Sequence, residues 1–171
     1  MKTLTVILWA VILSFVSWSP FALSWNKFDH LFFIERSKNK NYVQYDVRLT
    51  KNNDLPASSP VTAYWVLENG KNQELTLLER QYAYGIDSQE ELEQNKFRVF
   101  LVALKDREVI VEKMNGSFGA VVSINGKQSI LERVYIESQE RWTGLPKVLY
   151  IDLFGWTKGR GFPIRERIIP K

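Results

Sequence analysis

FRVFLVALKDREVIVEKMNGSFGAVVSINGKQSILERVYI, residues 97–136, is the stretch whose reading decides the fold. It divides into four strands, Phe97–Leu104, Glu108–Met114, Phe118–Ile124 and Gln128–Ile136. The breaks are Lys105-Asp106-Arg107, Asn115-Gly116-Ser117 and Asn125-Gly126-Lys127. Asn-Gly between apolar runs is the strongest short-range hairpin signal, because a two-residue type I′ turn needs positive φ at both central positions. The first strand is apolar at Phe97, Val99, Leu101 and Ala103 and again at Phe100, Val102 and Leu104. That pattern predicts a central strand covered on both sides. Successive hairpins make an antiparallel meander, a scaffold that hosts many unrelated functions.

Upstream, Leu31–Arg36 and Tyr42–Leu49 read as strands joined by Ser37–Asn41. Val43, Tyr45, Val47 and Leu49 alternate with Gln44, Asp46 and Arg48, which predicts one core face and one solvated face. Lys51–Pro60 is a loop rich in Asn, Ser and Pro, and Val61–Glu68 resumes the sheet. The period then changes. Leu75, Leu78, Tyr82 and Ile86 fall at helical spacing and predict a helix over Gln73–Tyr84, capped by Asn72 and ended by a left-handed Gly85. Ser88-Gln89-Glu90-Glu91 has capping-box form and predicts a further turn or two of helix. Downstream, Arg141–Pro146 is a loop and Lys147–Phe154 a strand with Leu149, Ile151 and Leu153 inward. Ile164–Ile169 is a final strand or edge. The expected fold is mainly β: an antiparallel barrel or two-sheet sandwich of about nine strands with one short helix, in a single domain over residues 25–171.

Met1–Ser24 has the form of a secretory signal peptide. Lys2 supplies the charge, Leu4–Val16 the apolar run, and Ala22-Leu23-Ser24 the small residues before a cleavage point at Trp25. Leu4–Trp18 is short of the ~20 residues that span a bilayer. The chain is therefore read as exported to the periplasm or the exterior, with no transmembrane segment after cleavage.

Composition excludes several chemistries. There is no cysteine, which removes disulfides, thiolate nucleophiles and Cys-ligated zinc or iron–sulfur clusters. The single histidine, His30, removes a multi-histidine metal site, and no loop has EF-hand spacing. The sequence thus implies no metal and no cofactor. A Ser-His-Asp triad would have to use His30, close to the expected new N-terminus, and no Gly-x-Ser-x-Gly elbow presents a nucleophile. Four strand carboxylates, Asp46, Glu132, Glu137 and Asp152, leave a glycosidase-like pair conceivable. The net charge of +4 concentrates in the tail: Lys158–Lys171 holds five basic residues against Glu166 alone. Gly159-Arg160-Gly161 lies in that tail but opens no helix, as a nucleotide loop must. Export also argues against nucleic acid as a partner.

Donors concentrate in Glu35–Asn41, where Arg36, Ser37, Lys38 and Asn39 could hold a phosphate or carboxylate. Asn, Ser and Lys are equally ordinary turn residues. Several short motifs occur in order here: Phe32-Phe33-Ile34-Glu35-Arg36-Ser37-Lys38-Asn39, Tyr45-Asp46, Pro60-Val61-Thr62-Ala63-Tyr64-Trp65, Leu75 and Ala83-Tyr84-Gly85. Together they resemble the uncharacterised bacterial family catalogued as domain of unknown function 4833, most clearly over residues 31–86. The resemblance brings no activity, cofactor or catalytic residue with it. It does direct attention to Arg36–Asn39 with Tyr64, Trp65 and Tyr84 as ligand-binding residues, to which the basic tail adds Arg160. The expected function is a non-catalytic exported domain that binds an anionic lipid, a glycan or an envelope protein. The alternative is a small hydrolase acting on envelope material through its strand carboxylates.

The leader reading makes a direct prediction. Mass spectrometry of the exported protein should find Trp25 as its first residue; intact Met1–Lys171 in the membrane pellet would overturn it.

Overall fold

The computed structural model describes residues 28–139 and 146–170, so the expected leader, Met1–Ser24, and most of the expected Arg141–Pro146 loop lie outside the described residues. In chain order the elements are β1 (Phe28–Arg36), β2 (Tyr42–Arg48), β3 (Val61–Val66), β4 (Asn72–Glu74), α1 (Leu77–Tyr82) and β5 (Ile86–Glu93). They continue with β6 (Lys96–Leu101), a 3-10 turn at Val102–Leu104, β7 (Glu108–Met114), β8 (Ser117–Ile124), β9 (Lys127–Gln139), β10 (Lys147–Thr157) and β11 (Pro163–Ile168). The strands form one curled sheet in the order β4-β3-β2-β1-β9-β8-β7-β6-β5, with β10 and then β11 added to the other edge of β9. The architecture is a half-barrel with a two-stranded extension. No helix among the described residues is long and apolar enough to cross a membrane.

The Asn-Gly reading is the part of the meander that transfers directly. Asn115, Gly116, Asn125 and Gly126 all have positive φ, and β6 to β9 pair in succession. The first of these strands is shorter than expected. β6 stops at Leu101, and only one face is fully covered: Phe97, Val99 and Leu101 are buried, while Arg98 and Phe100 are half-buried.

Two fold expectations need correction. The sheet is not purely antiparallel, because β1 runs parallel to β9 from Phe33↔Arg133 to Arg36↔Ile136. The single curled sheet also replaces a two-sheet sandwich. Both differences trace to β9, which at thirteen residues is long enough to serve three neighbours. One edge takes β8 near Lys127–Ile130 and β1 near Arg133–Ile136; the other takes β10. A bulge at Glu132 makes this possible. Ser129 and Leu131 are buried before it and Val134 and Ile136 after it, so the extra residue shifts the inward face by one and bends the strand. Gly155 on β10 sits against the bend, where an added Cβ would come within 2.2 Å of the Ile130 carbonyl oxygen.

The helical segment also departs from the period reading. Asn72–Glu74 pairs with β3 as β4, and α1 covers only Leu77–Tyr82. Thr76, not Asn72, caps it: its hydroxyl accepts the Glu79 N–H and the Glu79 carboxylate accepts the Thr76 N–H. Gly85 is not left-handed; it is glycine because a Cβ would lie 1.8 Å from the Arg80 carbonyl oxygen. Ser88–Glu91 is strand, paired residue for residue with Phe97–Phe100 of β6. With only Leu92 to offer an apolar helical face, a sheet ladder is the better use of that segment. On β10, the bulge near Leu149 turns this residue outward, while Leu153 remains fully buried.

The core is the inner face of the curl, filled by Phe32, Ile34, Val43, Tyr45, Val47, Phe97, Val99, Val109, Leu131, Val134 and Leu153 among others. Where the curl brings β3 opposite β5, no backbone ladder joins them. The Gln89 side chain does so instead. Its Oε1 accepts the Val61 N–H at 2.9 Å and its Nε2 donates to the Val61 carbonyl at 3.2 Å. Asn95 repeats the device, accepting the Leu55 N–H at 2.7 Å and donating to Asp54 at 2.8 Å. Gln89→Ala leaves both Val61 groups without these partners at a partly buried seam, and should cost about 1–3 kcal/mol. Urea unfolding measures it, and a variant as stable as the wild type would show that something other than this amide closes the seam.

Candidate functional site

β1 alternates so that Phe32, Ile34 and then Arg36 point inward, and Arg36 is the residue that reaches the α1 end of the half-barrel. Its guanidinium carbon lies 4.7 Å from the centre of the Trp65 ring. Trp65 in turn meets Tyr84 edge-on at 5.2 Å, and Tyr84 is fixed by the buried Tyr45 hydroxyl, which donates to its carbonyl at 2.6 Å. Glu79 of α1 completes the group. Burial pushes its carboxyl up, but bonds from Thr76 and the Trp65 indole, with the Arg36 charge, hold it below the usual carboxylate range. Arg36 itself is unsatisfied. Its Nε is buried with no hydrogen-bond partner, and its guanidinium makes no hydrogen bond among the described residues.

The other residues singled out from the sequence go elsewhere. The Ser37 N–H donates to the Ile136 carbonyl at 3.1 Å, and its hydroxyl reaches the backbone of Ser138, fastening the turn to β9. Asn39 closes that turn by accepting the Asn41 N–H at 3.2 Å, with Lys38 beside it. Tyr64 faces away from Trp65, as adjacent strand residues must. Arg160 sits in the β10–β11 turn. β10 ends level with Ser129 of β9, whereas Arg36 is level with Ile136, which puts the two arginines roughly 20 Å apart along the strand. The basic tail is also largely compensated: Lys158 pairs with Glu112, and Arg165 and Arg167 with Asp152.

A second cluster lies on the outer face, where alternation predicts solvated side chains. Asp46 is buried there, accepting hydrogen bonds from His30 Nδ1 at 3.1 Å, Gln44 Nε2 at 2.9 Å and the Tyr64 hydroxyl. Burial pushes its carboxyl up, and the bonds from His30, Tyr64 and Gln44 outweigh it, so the group sits below its ordinary value. Sequence reading treats His30 as near-terminal; in the structure it is an integral part of β1, paired across from Asp46.

Asp152 is the second buried outer-face carboxylate. Arg167 donates to it at 2.9 and 2.8 Å and Arg165 at 2.6 Å, while Arg167 stacks on Tyr150 and Arg133 on Phe154. The Arg167 bonds, opposed by burial and reinforced by Arg165, hold the Asp152 carboxyl at about 2. The remaining two strand carboxylates are engaged as well, Glu132 by the Trp156 indole N–H and Glu137 by Tyr135 and Tyr150. A cleft of about 720 Å³ opens along the seam, bordered by Arg48, Thr62, Tyr64, Glu74 and Arg80. Its arginines are already occupied, Arg48 by the Ser59 carbonyl and Arg80 by Glu74 and the Leu75 carbonyl. Among the described residues, no three His, Cys, Asp or Glu side chains converge as metal ligands.

Both buried aspartates have depressed folded values. Their stabilisation is fully present above the unfolded value of about 4 and is lost as pH falls through the folded value, for Asp152 about 2. Melting temperature should therefore drop progressively between pH ~4 and ~2. Asp152→Asn should lower it near neutral pH and flatten that acid limb. An acid limb identical to the wild type's would remove Asp152 from this role.

No curated protein matches the chain, nor does any solved structure. The family model described as domain of unknown function DUF4833 matches residues 32–167, a span that holds Arg36, Trp65, Tyr84 and both buried aspartates. The chain belongs to that family.

Proposed function

We propose that this chain is an exported, non-catalytic module that binds an anionic ligand at the α1 end of its half-barrel, with Arg36 recognising the charge. The observation behind the reading is the buried Arg36 Nε, which has no hydrogen-bond partner among the described residues. Leaving a buried donor unpaired costs about 1–3 kcal/mol, more when it is charged, and an anionic oxygen would relieve that cost. Trp65 orders the guanidinium plane in advance through its cation–π contact, which favours a forked bond to a carboxylate or phosphate. The leader supplies the argument for export, and an envelope lipid, glycan or protein is the matching source of anions.

A second reading, hydrolysis of envelope material, draws support from one observation. Asp46 holds His30 by Nδ1, leaving Nε2 as a base that could take a proton from water. Release of product from envelope material by the wild type, abolished in His30→Gln, would favour it over simple binding.

Arg36→Ala tests the main reading. It should leave the melting temperature nearly unchanged and weaken binding to an anionic lipid or polyuronate by about tenfold or more, since a charge-assisted contact is worth roughly 1.5–3 kcal/mol. Arg160→Ala, at the far end of β9, should bind like the wild type. A wild type that binds no anion, or an Arg36 variant that melts early with binding intact, would overturn the proposal.

A further inference from the structure

Glu137 is a carboxylate shared by two phenols. On the outer face it stands opposite Tyr150 of β10, while Tyr135, on the same side of β9, stands opposite Asp152. Tyr135 and Tyr150 are therefore diagonal neighbours across the two strands, a spacing that aromatic side chains span. Their ring centres are 6.3 Å apart with 41° between the planes, close enough for the ring edges to touch. Both hydroxyls donate to the same oxygen, Glu137 Oε2, at 2.8 Å from Tyr135 and 3.4 Å from Tyr150. Among the described residues no other two tyrosine rings meet.

This arrangement suits removal of hydrogen from the phenols. Bonds from Tyr135 above all, then from Ser37 and Tyr150, hold the Glu137 carboxyl below its ordinary value against the effect of burial. It is thus ionised at neutral pH and able to take a phenolic proton. The Arg167 guanidinium carbon lies 3.7 Å from the centre of the Tyr150 ring. Its charge opposes any positive charge on that ring, so an electron leaves Tyr150 readily only when the hydroxyl proton leaves as well. Glu137 is where that proton goes. All three side chains are half-buried, with one side open to solvent.

We propose that Tyr135 and Tyr150 form a dityrosine crosslink, with Glu137 as the proton acceptor and hydrogen peroxide, used by a haem peroxidase, as the oxidant. Each tyrosine gives one electron to the peroxidase and its hydroxyl proton to Glu137, which passes it to water. The two radicals join through the ring carbons next to their oxygens. The hydrogens on those carbons then move to the oxygens as protons and restore both phenols. Two electrons and two protons are removed in all, and they reduce one peroxide to two waters. The chain has no cysteine, so no disulfide can tie β9 to β10 in an oxidising compartment; this carbon–carbon bond would.

The test treats dilute purified protein with hydrogen peroxide and a haem peroxidase, following dityrosine fluorescence and mapping the crosslink by peptide mass spectrometry. The wild type should give a monomer in which the Tyr135 and Tyr150 peptides are joined, lighter by two hydrogen atoms. Tyr135→Phe and Tyr150→Phe should each melt like the wild type and lose that species. Tyr82→Phe, which alters a tyrosine that is 70% exposed on α1, should keep it. Glu137→Gln preserves the shape but cannot take a proton, and should slow crosslinking by about tenfold or more. Dityrosine that forms only between molecules, or within the monomer at other tyrosines, would overturn the proposal. So would an unchanged rate in Glu137→Gln, or no dityrosine at all in the wild type.

Discussion

A sheet curled this far brings its two ends face to face, and their unpaired backbone groups must be satisfied in some way. β4, with three residues, is too short to extend a ladder to β5. Two side-chain amides, Gln89 and Asn95, make the closure at separate points instead. Pinning at points leaves residues 75–85 outside the sheet, so they can cross the end of the half-barrel as α1 and return through Gly85. That path brings Tyr84 onto Trp65, and the Trp65 ring is what positions Arg36. The candidate site is thus a product of how the seam is closed.

Charge placement separates structural from recognising residues. Asp46 gathers three donors from β1, β2 and β3, while Asp152 gathers two arginines from β11. Glu166 anchors the opposite side of β11 to Arg107 and to the Asn125 N–H. Every partner in these nets comes from the fold itself, so the nets hold strands together and their depressed carboxyl values follow from that bonding. Arg36 differs because the fold orients it on Trp65 near the Glu79 carboxylate, yet leaves its buried Nε without a hydrogen-bond partner among the described residues.

Local chemistry was legible in the sequence and long-range geometry was not. Asn115-Gly116 and Asn125-Gly126 state their turns outright, because few other pairs tolerate positive φ twice in succession. The parallel meeting of β1 with β9 has no local signal; it depends on a bulge at Glu132 that a polar residue between apolar ones does not announce. The Leu75, Leu78, Tyr82 spacing predicts a buried helical face, but Leu78 and Tyr82 are exposed and only Leu75 reaches the core. Strand period alone separates Tyr64 from Trp65, since consecutive residues face opposite sides. The Asp46 net has no sequence signal, because its histidine comes from a segment that reads as terminal.

The parallel β1–β9 pair joins Phe33 to Arg133, across a hundred residues of chain. Because a chain is made N-terminus first, β1 emerges early and waits for its second neighbour until nearly all the rest has followed. Until then the β1–β2 hairpin has one open edge, with its apolar face of Phe32, Ile34, Val43 and Tyr45 uncovered. Non-local pairing of this kind slows folding, and the exposed edge is a template for the wrong partner. Expression yield should therefore depend less on the stability of the finished fold than on how long that hairpin stays open.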